Sequence, residues 1–153
     1  FNISVQEFDE LQAIISERFQ NLGPYWAFKI PHATLFLDFW SRWPGAKFVF
    51  IVRDPEAVIS SLIRRMGNKL YTRPDAPFHF GRAYAIYNER IAHFAKANSN
   101  RSYVMSSEAL LTEPELVFSD LSVKLDIPID RNWSPSSLID RNIVSAKSHK
   151  LEH

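Results

Sequence analysis

Lys47-Phe48-Val49-Phe50-Ile51-Val52-Arg53-Asp54-Pro55 joins an apolar run to an arginine and then to the start of a helix. The uninterrupted apolar residues 48–52 are typical of a parallel strand that is covered on both faces. Asp54 predicts a helix N-cap, and Pro55 predicts the first turn. Arg53 therefore follows the carboxyl end of a strand, where open α/β sheets bind ligands. An arginine beside helix N–H groups indicates a phosphate-bearing ligand.

Arg-Asp-Pro followed by a serine eight positions after the arginine resembles a known phosphate-binding motif. It is the 3′-phosphate motif of sulfotransferases that use 3′-phosphoadenosine 5′-phosphosulfate (PAPS). The resemblance implies that Arg53 and Ser61 bind that phosphate. Lys29, in the segment 26–32, matches the lysine that assists the leaving group in those enzymes. Residues 103–114 and 138–140 resemble later segments of the family, so the likeness covers about residues 26–140.

One signature of the family has no counterpart here. Its members hold the 5′-phosphosulfate with an N-terminal loop rich in glycine, serine and threonine. None of the four glycines of this chain lies in such a cluster; they are Gly23, Gly45, Gly67 and Gly81. We therefore expect the carboxyl-terminal part of a sulfotransferase, without its first βα unit.

His32 is the candidate general base. In many family members a histidine two places after the motif lysine has this role, whereas here that place is Pro31 and the histidine comes next. Histidine titrates near neutral pH and can accept a proton from a hydroxyl. The alternative is a residue at a helix start with no catalytic task. For Lys29 the alternative is a solvated strand end, and for Ser61 a helical serine bonded to the preceding turn.

The composition limits which classes of protein this chain can belong to. With 153 residues, 46% of them hydrophobic, the chain can bury one core, so we expect a single domain over residues 1–150. The net charge of +1 argues against nucleic-acid binding. The absence of cysteine excludes disulfides and fits a reducing, cytoplasmic location. No membrane span, signal peptide or metal-ligand spacing is visible, and residues 151–153 resemble a tag remnant.

The rest of the chain alternates predicted helices and strands, which implies parallel pairing. Strands are expected around residues 26–29, 47–53 and 102–105, with Lys29 and Arg53 at one edge of the sheet. A helix is expected where Leu35, Phe36, Phe39, Trp40 and Trp43 recur, ending at Pro44-Gly45.

Three further patterns mark helix starts and a loop. Ser4 with Glu7, and Thr112 with Glu115, predict capping boxes. Residues 67–78 predict a loop, which is a candidate acceptor lid. The next pattern predicts a long helix from residues that recur at helical spacing: Phe80, Tyr84, Tyr87, Ile91 and Phe94.

These observations predict an α/β, P-loop-type, three-layer fold with a parallel sheet flanked by helices. The resemblance implies transfer of a sulfuryl group from PAPS to a hydroxyl or amine of a small-molecule or carbohydrate acceptor, releasing adenosine 3′,5′-bisphosphate (PAP). Two alternatives remain: a non-catalytic nucleotide-binding or interaction remnant, and a related nucleotide kinase. A salt bridge from Arg53 to Asp54 or Glu56 is the alternative to phosphate binding. An exposed sheet edge also predicts pairing with a second copy.

Overall fold

The computed structural model describes residues 4–19, 27, 29, 31–66, 74–129 and 134. No helix in this part of the chain is long and apolar enough to cross a membrane. The elements, in chain order, are α1 (Val5–Phe19), a 3₁₀ helix η1 (Pro31–Phe36), α2 (Leu37–Ser41), β1 (Phe48–Val52), α3 (Pro55–Met66), α4 (Ala76–Ala97), β2 (Ser102–Ser106), α5 (Ser107–Thr112) and α6 (Pro114–Leu125).

The sheet consists of β1 and β2, which are parallel and paired from Phe48 with Ser102 to Val52 with Ser106. The predicted parallel pairing of these two segments is confirmed. The third predicted strand, at 26–29, does not appear at Ala27 or Lys29, which lie in irregular backbone; Trp26 and Phe28 lie outside the described residues. A strand forms only against a hydrogen-bonded neighbour, and within the described chain β1 pairs with β2 alone.

Helices pack on opposite faces of this sheet. On one face, the ring of Phe94 on α4 meets Phe48 and Phe50 of β1 edge to face, with ring centroids 4.8 and 6.0 Å apart. On the other face, Met105 of β2 packs against α6. The α6 residues buried with it are Val117, Leu121 and Leu125. Strand side chains alternate between faces, so the sheet lies between two helical layers as predicted.

The first helix begins as predicted. Ser4 Oγ accepts a hydrogen bond from the Glu7 N–H at 3.2 Å, and the Glu7 carboxylate accepts from the Ser4 N–H at 2.9 Å. This reciprocal pair is a capping box, and the bonds from Ser4 hold the pKa of Glu7 below its usual value.

The second predicted capping box is wrong. Thr112 lies inside α5, where its hydroxyl donates to the Glu108 carbonyl at 3.0 Å. The residue that caps α6 is Glu113, which does so without a side-chain hydrogen bond. The start of α5 follows β2 directly, because Ser106 Oγ accepts from the Ala109 N–H at 2.9 Å and so caps the helix.

Two helix boundaries differ from the prediction. The helix expected from Leu35 begins earlier, as a 3₁₀ turn at Pro31 that continues into α2. Helix α4 begins at Ala76, inside the predicted loop. Pro77 fits this start because a proline in the first turn has no backbone N–H to leave unbonded. The proposed lid residues 67–73 lie outside the described residues.

Part of the sheet surface is apolar and exposed. Val49 and Ile51 of β1 are 43% and 57% exposed. They point away from the face that α4 covers, because successive strand residues alternate. The apolar run predicts a strand covered on both faces, and on this face of β1 that prediction is wrong. Pairing with a second copy stays a prediction.

We predict that Phe94→Ala lowers the free energy of unfolding by about 3–5 kcal/mol, because it removes the buried ring that holds α4 on β1. Phe78→Ala is the matched control on the same helix, since Phe78 is 68% exposed whereas Phe94 is 8% exposed. The control should change stability by less than about 0.5 kcal/mol. Urea unfolding of both variants measures this, and equal losses would mean that α4 does not pack as described.

Candidate functional site

The carboxyl ends of β1 and β2 lie side by side because the strands are parallel. Val52 pairs with Ser106 as the last pair of the ladder. Arg53 follows β1 directly and is half-buried. Helices α3 and α5 both begin at this edge, so two helix N-termini flank the arginine. The edge therefore has the position and charge that the sequence predicts for a phosphate site.

The start of α3 has the predicted cap. Asp54 Oδ1 accepts a hydrogen bond from the Ala57 N–H at 2.8 Å, and Pro55 is the first helical residue. The Asp54 carbonyl accepts from the Val58 N–H at 3.1 Å. The Asp54 side chain is thus used in capping. This fixes the direction in which the chain leaves Arg53.

A tyrosine of α4 holds the backbone of Arg53. Tyr84 Oη donates to the Arg53 carbonyl at 2.5 Å. The bond joins residues 31 positions apart and links the strand end to the long helix. It occupies the peptide carbonyl and leaves the guanidinium available for a ligand.

Glu108 is the carboxylate beside Arg53. Its pKa lies below its usual value, mainly because its own backbone N–H donates to the carboxylate. The Ser107 hydroxyl, at 2.9 Å, the Asp54 N–H and the charge of Arg53 all act in the same direction, while partial burial opposes them. The sequence named Asp54 or Glu56 as the competing partner of Arg53, whereas the structure brings Glu108 to it from α5. A negative charge is thus already stabilised at this edge.

The other predicted site residues lie on two elements. Ser61 is half-buried on α3, two turns after Arg53. Lys29 is exposed, in irregular backbone, three residues before His32. His32 lies on η1 and is exposed, with Nδ1 2.9 Å from Tyr87 Oη. Their roles stay predictions.

Helix α4 links the two parts of the candidate site. Tyr84 contacts the Arg53 carbonyl, and Tyr87 contacts His32. Residues three apart on a helix lie on one face, so η1 and the end of β1 are held by neighbouring side chains. The sequence placed both tyrosines in the helical pattern of α4 but gave their hydroxyls no role. The signal that could have found them is the pair of hydroxyl-bearing rings within an otherwise apolar stripe.

In the described part of the chain, no three histidine, aspartate or glutamate side chains converge on a common point as metal ligands do.

Comparison with known proteins gives the family. A model of the sulfotransferase family matches residues 4–131. The chain belongs to the sulfotransferase family. No curated protein matches it.

A solved structure gives the fold. The sulfotransferase domain from the curacin biosynthetic pathway superimposes with a TM-score of 0.65 at 23% identity. The alignment covers 79% of this chain and 46% of that one, so this sulfotransferase chain spans about half the length of its structural neighbour. The match confirms the α/β, P-loop-type fold.

We predict that Glu108→Gln lowers the free energy of unfolding by less than about 1 kcal/mol near pH 7, since the carboxylate is exposed. The pKa of Glu108 is lowered by folding, so its contribution to stability is present above its usual value of 4.5. It is lost as the pH falls through the lower pKa of the folded state. The difference between variant and parent should therefore shrink toward zero once the pH is below that lowered pKa.

Glu56→Gln is the matched control, because Glu56 and Glu108 are both the second residue of a helix. Both substitutions remove the same favourable interaction with a helix N-terminus. Only Glu108→Gln also removes the interactions with the Ser107 hydroxyl, the Asp54 N–H and the charge of Arg53. Urea unfolding over the pH range compares them, and identical pH profiles would contradict the stabilisation of the Glu108 carboxylate by its neighbours Ser107, Asp54 and Arg53.

Proposed function

We propose that this sulfotransferase-family chain binds the adenosine 3′,5′-bisphosphate part of PAPS at the edge formed by Arg53, α3 and α5. PAPS supplies the sulfuryl group. The acceptor is a hydroxyl or amine of a small molecule or carbohydrate, and PAP is the product. The observation that carries the proposal is the position of Arg53, half-buried between a strand end and a capped helix N-terminus.

The hydrogen-bond donors and the positive charge at this edge suit an anion. Glu108 supports this, since its carboxylate is stabilised by backbone N–H groups and by the charge of Arg53. A phosphate is a stronger acceptor with more oxygens, and it suits a guanidinium that can donate two parallel bonds. Ser61 adds a hydroxyl donor from α3. We infer that these two side chains bind the 3′-phosphate.

The transfer itself is assigned to the segment before α2. Lys29 would stabilise the negative charge that builds on the leaving phosphate oxygen, as cationic clamps do in group transfer. His32 would take the proton from the acceptor. The likeness of Lys29 to the family's motif lysine supports the first role, and an exposed imidazole on η1 supports the second.

Calorimetry with PAP and adenosine 5′-monophosphate tests donor binding, because only PAP carries a 3′-phosphate. Arg53→Ala should weaken PAP binding about 10- to 100-fold, since a charged hydrogen bond contributes about 1.5–3 kcal/mol. Monophosphate binding should barely change. Arg18→Ala, which removes an exposed arginine from the last turn of α1, is the control and should leave both affinities unaltered. Equal losses for both ligands in Arg53→Ala would remove the assignment.

Supplying PAPS with a panel of alcohols and amines separates catalysis from binding. Sulfation that falls in Lys29→Ala, while PAP affinity is kept, supports the enzymatic role. PAP binding without sulfation of any acceptor supports the alternative of a non-catalytic nucleotide-binding protein.

A further inference from the structure

The hydrogen bond between His32 and Tyr87 engages one nitrogen of the imidazole. Tyr87 Oη lies 2.9 Å from Nδ1, across 55 positions of sequence. The rings are tilted by 56°, with centroids 6.4 Å apart, so the contact is through the hydroxyl and not through stacked faces. His32 is exposed. Nε2 is therefore the nitrogen left to meet a ligand.

The direction of this bond decides what Nε2 can do. If the phenol donates to Nδ1, the neutral imidazole carries its proton on Nε2 and cannot accept another there. If Nδ1–H donates to the phenol oxygen, Nε2 keeps its lone pair and can act as a base. A hydroxyl can donate or accept a hydrogen bond. The bond at one ring nitrogen then determines whether the other nitrogen carries a proton or a lone pair.

We propose that Tyr87 is a positioning residue that accepts a hydrogen bond from Nδ1–H of His32 and so presents Nε2 as the proton acceptor. This inference rests on the proposed function, in which His32 is the base. The acceptor oxygen or nitrogen forms a bond to sulfur and gives its proton to Nε2. The bond from sulfur to the bridging phosphate oxygen breaks, and PAP leaves with the electron pair. Nδ1–H stays on Tyr87 throughout, so no second proton moves.

The surroundings of Tyr87 fit a positioning role. Its helix is held at both ends of the contact region: Tyr84 Oη donates to the Arg53 carbonyl, and Arg90 Nη1 donates to the Leu35 carbonyl at 3.1 Å. Arg90 thus ties α4 to the same 3₁₀ helix that carries His32. Tyr87 lies midway between these two bonds, three residues from each. The phenol therefore has a fixed place from which to orient the imidazole.

The direct test is ¹⁵N NMR of the histidine-labelled chain at a pH where His32 is neutral, with the His32 signals assigned from His32→Asn. We expect the pyrrole-type shift at Nδ1 and the pyridine-type shift at Nε2. In Tyr87→Phe the pyrrole-type shift should move to Nε2, the form that free histidine favours. Tyr103→Phe is the matched control, since it removes a hydroxyl that donates to the Val117 carbonyl of α6 at 3.3 Å. It should leave the His32 tautomer unchanged.

Kinetics with PAPS gives a second readout. Tyr87→Phe should lower kcat by about tenfold or more, within the range of base catalysis, and leave KM for PAPS unchanged. Tyr84→Phe should instead raise KM for PAPS, because it loosens Arg53.

A proton on Nε2 in the parent chain, or a tautomer that Tyr87→Phe does not alter, overturns the inference. Equal losses of affinity for PAP and for adenosine 5′-monophosphate in Arg53→Ala would instead overturn the proposed function. The tautomer result is read from the imidazole itself and does not depend on that outcome.

Discussion

The packing of α4 along β1 is the constraint on which the site depends. Phe94 meets Phe48 and Phe50, and Tyr84 binds the Arg53 carbonyl. Tyr84 and Phe94 lie ten positions apart on α4, a distance of about 15 Å along the helix. Phe48 and Arg53 lie five positions apart, a distance of about 17 Å along the strand. Helix and strand therefore run side by side over matching lengths, and the strand end cannot shift without breaking one of these contacts.

This packing also explains how distant segments reach one site. The 3₁₀ helix that carries His32 and the turn that carries Arg53 do not follow each other in sequence, yet both bond to side chains on one face of α4. Arg53 and His32 thus take their places from a third element. Under the proposed function, we expect substitution of Tyr84 to affect nucleotide binding and substitution of Tyr87 to affect proton transfer.

Apart from the parallel pairing of β1 with β2 and the helical layers on the sheet, the features that sequence predicted are local. The β1 strand, the Asp54 cap and the Pro55 helix start follow from neighbouring residues, and so does the Ser4–Glu7 box. The Thr112 box failed because Thr112 is bonded within α5, which sequence pattern did not reveal. The site contacts of Tyr84 and Tyr87 join residues 31 and 55 positions apart. Helical periodicity places such residues on a face but does not say which partner their hydroxyls meet.

The position of Glu108 beside Arg53 likewise could not be predicted from local sequence. Its place beside Arg53 depends on the register of β1 with β2, in which Val52 pairs with Ser106. Asp54 and Glu56 are nearer in sequence, but Asp54 is used in capping α3. The carboxylate that shares the edge thus comes from another helix. A phosphate at this edge, as proposed, would meet both a cation and a neighbouring anion.

The most direct test of the central claim is an experimental structure of the chain with PAP bound. The account predicts the 3′-phosphate within hydrogen-bond distance of the Arg53 guanidinium and the Ser61 hydroxyl, with the Tyr84 bond to the Arg53 carbonyl kept. PAP bound elsewhere, or an Arg53 side chain that turns to Glu108 while the 3′-phosphate lies in solvent, would contradict it.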